Sequence, residues 1–193
     1  MHVKCSRIIV GITGASGALY GTTLLEALKQ NGQVEIHLII SNAGRDLIRM
    51  ELGDGAWERT QSIAHACYTI DDLAAPVSSG SFITEGMIIA PCSVKTLSAI
   101  AHAYDDNLIH RAADVVLKER RRLVLLFRET PFTLSHIENM ARITNMGGVI
   151  LPPIPAFYFK PTTIQELVNH SIGKALDLFS LEHTLYARWG QEK

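Results

Sequence analysis

The chain has 193 residues, 47% of them hydrophobic, which is enough to bury one sizeable core and suits a single domain. Its 18 lysines and arginines against 19 acids leave a formal net charge of -1, which excludes a global field that would recruit nucleic acid or an acidic membrane surface. The cysteines Cys5, Cys67 and Cys92 are odd in number and lack the paired spacing of a zinc site or a disulfide framework, so a reducing, cytoplasmic setting is expected.

Apolar, β-branched runs alternate with helical patterns along the chain. Arg7 to Ile12 reads as a strand before a helix over Ala18 to Gln30, and Val34 to Ile40 as a strand before a helix over Ala43 to Leu52. Small residues from Gly11 to Gly17 interrupt the first apolar run before a membrane span or a signal segment could be completed. No strand or helix is assigned between Leu52 and Gly86. Beyond it, Gly86 to Ala90 precedes a helix over Lys95 to Ala103, and an extra helix, about Asn107 to Arg121, stands ahead of the next strand. That strand, Leu123 to Phe127, is followed by a helix over Leu134 to Thr144, and Gly148 to Leu151 by a helix over Ile164 to Phe179. There is no repeat, low-complexity tract or Gly/Ser linker. A βα series with right-handed crossovers predicts an α/β fold: a Rossmann-like (flavodoxin-like), doubly wound, mostly parallel sheet in one domain.

In such sheets ligands sit beyond the carboxyl ends of the strands, so the residues that follow each strand carry the functional signal. Gly11-Ile12-Thr13-Gly14-Ala15-Ser16-Gly17 lets backbone N–H groups and a helix N-terminus approach a phosphate or a flat ring. Its spacing is not that of a dinucleotide fingerprint, and Ser41-Asn42 after the second strand offers no acid for a ribose hydroxyl, so a mononucleotide fits better. The bland alternative is a glycine turn that only seats a helix on the sheet. Pro91-Cys92-Ser93-Val94-Lys95-Thr96 opens a helix with two hydroxyls and an ammonium, which suits an anion or, more simply, an N-cap serine with a first-turn lysine. Cys92 has no local histidine partner and reads as a buried structural cysteine.

Arg128-Glu129-Thr130-Pro131 places an adjacent base and acid where a buried strand stops, facing the expected pocket. On the extra helix Arg111 and Lys118, seven residues apart, share a face and can grip one phosphate, whereas Arg120, Arg121 and Arg122 read mostly as a solvated face. Asp114 balances that charge. Asp105-Asp106 reads as a solvated turn, the eight histidines as surface or helix residues, and no metal site is supported. Ser78-Ser79-Gly80-Ser81-Phe82 is a small polar loop, and Pro152-Pro153-Ile154-Pro155-Ala156-Phe157-Tyr158 a stiff one that holds Tyr158 at a rim. Lys174 adds a cation if its helix returns past the site.

Taken in order, these segments, with Arg111-Ala112-Ala113-Asp114-Val115, Leu117-Lys118-Glu119-Arg120 and Arg188-Trp189, resemble the UbiX/Pad1 family of flavin prenyltransferases over nearly the whole length. The resemblance implies transfer of a dimethylallyl group from dimethylallyl phosphate to N5 and then C6 of reduced FMN, without a metal, giving prenylated FMN for a UbiD-type decarboxylase. It implies FMN contacts at Gly14, Ala15, Ser16, Ser41, Ser93, Val94, Lys95, Thr96 and Arg128. It assigns the donor phosphate to Arg111, Lys118, Tyr158 and Lys174, and the chemistry to Glu129, Ser16, Glu51 and Trp189. The family usually has arginine where Lys174 stands, so phosphate affinity or donor choice is the property at issue. A homo-oligomer, a dodecamer in the family, is implied, with segment 180–193 packing at a subunit interface. The competing readings are an FMN-dependent aromatic acid or cysteine-type decarboxylase and a non-enzymatic FMN carrier. The cysteine-type enzymes carry Pro-Ala-Ser-Ala-Asn where this chain has Pro91-Cys92-Ser93-Val94-Lys95.

Overall fold

The computed structural model describes residues 6–190; Cys5 and the last part of the expected interface segment lie outside the described residues. The chain alternates strands and helices: β1 (Ser6–Ile12), α1 (Ala18–Asn31), β2 (Val34–Ile40), α2 (Asn42–Leu52), α3 (Ala56–Ile63), β3 (Ala66–Tyr68), β4 (Gly86–Cys92) and α4 (Val94–Ala101). It continues with α5 (Leu108–Lys118), β5 (Arg122–Phe127), α6 (Leu134–Asn145), β6 (Val149–Ile150) and α7 (Ile164–Asp177). The six strands are all parallel in the order β3-β2-β1-β4-β5-β6, the order of a Rossmann sheet, with the reversal of direction between β1 and β4.

Because strand side chains alternate in direction, each strand feeds two cores. Ile8, Val10 and Ile12 of β1 join Ile36 and Leu38 of β2 beneath α1 and α7, while Ile9, Ile39, Met87 and Ile89 face α4, α5 and α6. Both faces are therefore covered, which is why these strands read as unbroken apolar runs.

The segment left unassigned in the sequence contains α3, β3 and a 3-10 turn at Pro76–Ser78. β3 is three residues long, sits at the sheet edge, and presents no fully buried side chain, so it carries no hydrophobic alternation to read. The helix expected over Asn107 to Arg121 is shorter, Leu108–Lys118, with Asn107 as its N-cap accepting from the His110 N–H, and Arg120 turns out of it at φ 56. The helix expected to reach Phe179 ends at Asp177. Among the described residues no helix is long and apolar enough to cross a membrane.

Candidate functional site

The loops that follow β1, β2, β4 and β5 enclose a cavity of about 540 Å³ at the switch point of the sheet. It is lined by Gly14, Ala15, Ser41, Ser93, Val94, Lys95, Thr96, Arg128 and Glu129, and also by Thr13, Asp106 and His110. Eight of the nine residues expected to touch FMN thus meet in one place; Ser16 lines no part of it and its side chain is exposed.

Local chemistry explains how they converge. Ser41 caps α2 by accepting the Gly44 N–H at 3.0 Å, and Ser93 caps α4 by accepting from Thr96 at 3.4 Å, so two helix N-termini open on the cavity. A side chain at Gly14 would put its Cβ 2.5 Å from that of Ala43, so only glycine lets the first loop lie this close to the start of α2. Thr13, which is buried, ties the loops together: its hydroxyl donates to the Pro91 carbonyl at 2.8 Å and accepts the Ser93 N–H at 2.8 Å. Sequence reasoning missed Thr13, because its role exists only across the β1–β4 pairing.

Arg128 follows β5 and its Nε is buried without a hydrogen-bond partner among the described residues. A buried guanidinium nitrogen left unpaired is costly, and an anion in the cavity would satisfy it. Glu129 accepts the Thr130 N–H at 2.9 Å and borders the same space. The acceptor-poor helix starts, the Lys95 ammonium and the unpaired Arg128 nitrogen fit a mononucleotide phosphate and a flat ring held by backbone N–H groups.

Two expectations are corrected here. Asp106 is no solvated turn: its carboxylate accepts from His110 Nδ1 at 2.5 Å and lies 3.7 Å from Lys95 Nζ, with both Asp106 and His110 facing the cavity. His110 is 2% exposed, and burial, opposed by Asp106, pushes its pKa below the ordinary value. Arg121 is no part of a solvated face either; it donates to the carbonyls of Phe82 at 2.8 Å and Gly80 at 2.6 Å, fixing the small polar loop. Burial pushes the Cys92 thiol well up, in keeping with a structural role.

The remaining expected residues lie outside the cavity lining. Glu51 accepts the N–H groups of Gly17 at 2.9 Å and Ala18 at 2.7 Å, acting as an anion at the start of α1. Arg111 pairs with Asp105 at 3.2 Å and Asp114 at 3.1 Å and donates to the Ser78 carbonyl, while Lys118 pairs with Glu119 at 2.5 Å beside Gly80. Tyr158 and Trp189 meet edge to face at 5.3 Å, and Lys174 lies on α7 nearby in sequence to the tail that carries Trp189. Among the described residues no group of three or more His, Cys, Asp or Glu is placed to hold a metal ion.

Comparison with known proteins settles the family. The sequence matches the Flavoprotein family over residues 2–176. It is 48% identical over 185 residues to the flavin prenyltransferase UbiX of Escherichia coli strain K12, covering 95% of this chain and 97% of that protein. The chain belongs to the UbiX flavin prenyltransferase family. The crystal structure of AnUbiX (PadA1) in complex with FMN and dimethylallyl pyrophosphate superposes on the UbiX fold seen here with a TM-score of 0.94 at 46% identity, covering 98% of this chain and 100% of that one. The dodecameric FMN-dependent UbiX-like decarboxylase from Escherichia coli O157:H7 superposes with a TM-score of 0.93 at 45% identity, covering 96% and 100%.

Proposed function

We propose that this protein joins the dimethylallyl group of dimethylallyl phosphate to N5 and C6 of reduced FMN, releasing phosphate and making prenylated FMN for a UbiD-type decarboxylase in the cytoplasm. The observation that carries the reading is the cavity at the sheet's switch point, where eight expected FMN contacts meet around the unpaired Arg128 nitrogen. Reduced FMN, when bound, supplies the electron-rich ring that accepts the prenyl group.

The chain's own residues do the rest. Arg128 and the N-termini of α2 and α4 hold the FMN phosphate and ring. Glu129 holds or moves the proton displaced from the ring at the cavity edge, and Ser16, on the loop after β1, stands near N5. Glu51 acts one step back, fixing the loop that carries Ser16 through Gly17, whose φ of 108 suits glycine. Arg111, Lys118, Tyr158 and Lys174 take the donor phosphate, where their charge offsets the negative charge that develops as it leaves. Trp189 faces the electron-poor allylic carbon and excludes water.

Support for a composite site comes from exposure. Trp189 is 81% exposed and Tyr158 44% exposed in the single chain, and neither lines the cavity. We read the cavity of one protomer as completed by residues of a neighbour in a dodecamer, segment 180–193 included, like the assembly of the Escherichia coli O157:H7 protein. The test is anaerobic incubation of purified protein with reduced FMN and either prenyl donor, followed by mass spectrometry of the flavin. A five-carbon adduct is expected. No adduct with either donor overturns prenyl transfer, and carbon dioxide released from an aromatic acid without a partner enzyme would replace it with decarboxylation.

A further inference from the structure

Asp177, the last residue of α7, gathers an unusual set of donors. On Oδ1 it takes Arg188 Nη2 at 2.6 Å and His183 Nε2 at 3.1 Å; on Oδ2 it takes the Tyr186 hydroxyl at 2.5 Å, with Lys174 Nζ 3.9 Å away. Burial opposes ionisation of this carboxyl, yet the hydrogen bonds from Arg188, Tyr186 and His183 outweigh it and hold the pKa at about 2. Asp177 is therefore an anion at neutral pH. Two permanent cations share it, so the cluster keeps a net positive charge.

That carboxylate also folds the tail back over α7. Tyr186 is brought 4.8 Å from His170, whose Nε2 meets the Tyr158 hydroxyl at 3.3 Å, and Trp189 follows onto Tyr158. Burial first, and Lys174 second, push the His170 pKa down, so the positive charge here rests on Lys174 and Arg188. Arg188 commits one terminal nitrogen to Asp177 and lies 5.7 Å from the Tyr186 ring centroid. Among the described residues its remaining N–H groups meet no acceptor, and its side chain is 43% exposed.

We propose that Arg188 is a further cation for the phosphate of the prenyl donor, besides Arg111, Lys118 and Lys174, and that Asp177 is the positioning residue that sets Arg188 beside Lys174. This rests on the prenyl-transfer reading above. A lysine ammonium is a point charge that grips one oxygen without a fixed direction; a guanidinium presents a planar fork that takes two. With Lys174 on one edge of Asp177 and Arg188 on the other, the tail supplies that fork from outside α7. Tyr158 and Trp189 stand at the same place and close its apolar side.

The experiment uses full-length FMN-bound protein and two readouts: KM for dimethylallyl phosphate, and the affinity for inorganic phosphate by calorimetry, which needs no turnover. Arg188→Gln is expected to raise KM and weaken phosphate binding together, each by roughly tenfold or more, the loss of one charge-assisted bond. Arg188→Lys keeps the charge without the fork and should recover only part of this. Asp177→Asn removes a negative charge, so a purely electrostatic role would tighten phosphate; positioning predicts that it weakens, and that Asp177→Glu restores it. Circular dichroism of Arg188→Lys confirms that the conservative variant is folded. Phosphate affinity in Arg188→Gln within about twofold of the unaltered protein, or tighter binding in Asp177→Asn, overturns the proposal. If phosphate binding falls as expected but no prenyl adduct is ever formed, the anion site stands and the prenyl-transfer reading fails.

Discussion

The cavity at the strand ends and the cluster at the end of α7 are built on opposite plans. Around the cavity, backbone groups and short side chains are fixed by β-strand ends, helix caps and the Thr13 hydroxyl, so one chain suffices to shape it. Around Asp177, long cationic side chains and rings are gathered by a single carboxylate on a tail of irregular structure, and much of their surface faces outward. On the function proposed above, the difference teaches that holding the flat, rigid partner would be a property of the sheet, whereas holding the small charged one would be a property of side chains that need a neighbouring surface to be enclosed.

Four substitutions or titrations break or sharpen that contrast. Glu129→Gln should slow prenyl transfer by roughly a hundredfold, the scale of a lost general acid or base, while FMN affinity stays within about threefold. Equal loss of both in stopped-flow and equilibrium titrations would move Glu129 to the structural side. Arg128→Met should weaken FMN by roughly tenfold to a hundredfold through loss of a charged hydrogen-bond donor, yet leave the Tm of the flavin-free protein unchanged or higher, since the removed Nε is buried and unpaired. A large fall in the flavin-free Tm would show that Arg128 holds the fold and not the ligand.

The third concerns pH. Asp177 has its folded pKa held at about 2 against the ordinary 3.8 of an aspartate, so its contribution to stability is complete above about pH 4 and disappears as pH falls through about 2. The difference in Tm between the unaltered protein and Asp177→Asn should therefore be largest near neutrality and close as pH falls toward 2. A pH-independent difference would mean that packing, not charge, ties down the tail. The smallest effect is reserved for Trp189→Ala, which should change chain stability by less than about 0.5 kcal/mol because the indole is 81% exposed, while still lowering turnover. A larger loss of Tm that depends on protein concentration would place Trp189 in a subunit contact.

Much of the fold was legible because buried parallel strands announce themselves: β2 and the long strands β1, β4 and β5 are apolar runs with a loop signal after each. α3 and β3 were not, since eight residues with two buried side chains and three with none leave no periodicity to detect. In the site, residues directly after strands were readable from position alone. Ser16 does not line the cavity of the single chain, and Glu51 acts on backbone N–H groups that no spacing rule connects to it. Asp106 and His110 look like a surface turn and a helix residue in the sequence; only the packing of α5 against α4 and the sheet buries the imidazole and turns the pair toward the cavity.

Thr13 bears on how a finished product would leave. Its hydroxyl clasps the loops after β1 and β4 at two points of 2.8 Å, and the backbone N–H of Thr13 reaches the same Pro91 carbonyl at 3.2 Å. A floor stitched in this way does not spread to let a bulkier molecule out. With the composite site proposed above, exit depends on what a neighbouring protomer lays over the cavity, so the pace of release is expected to follow the contact between subunits and not breathing of the sheet.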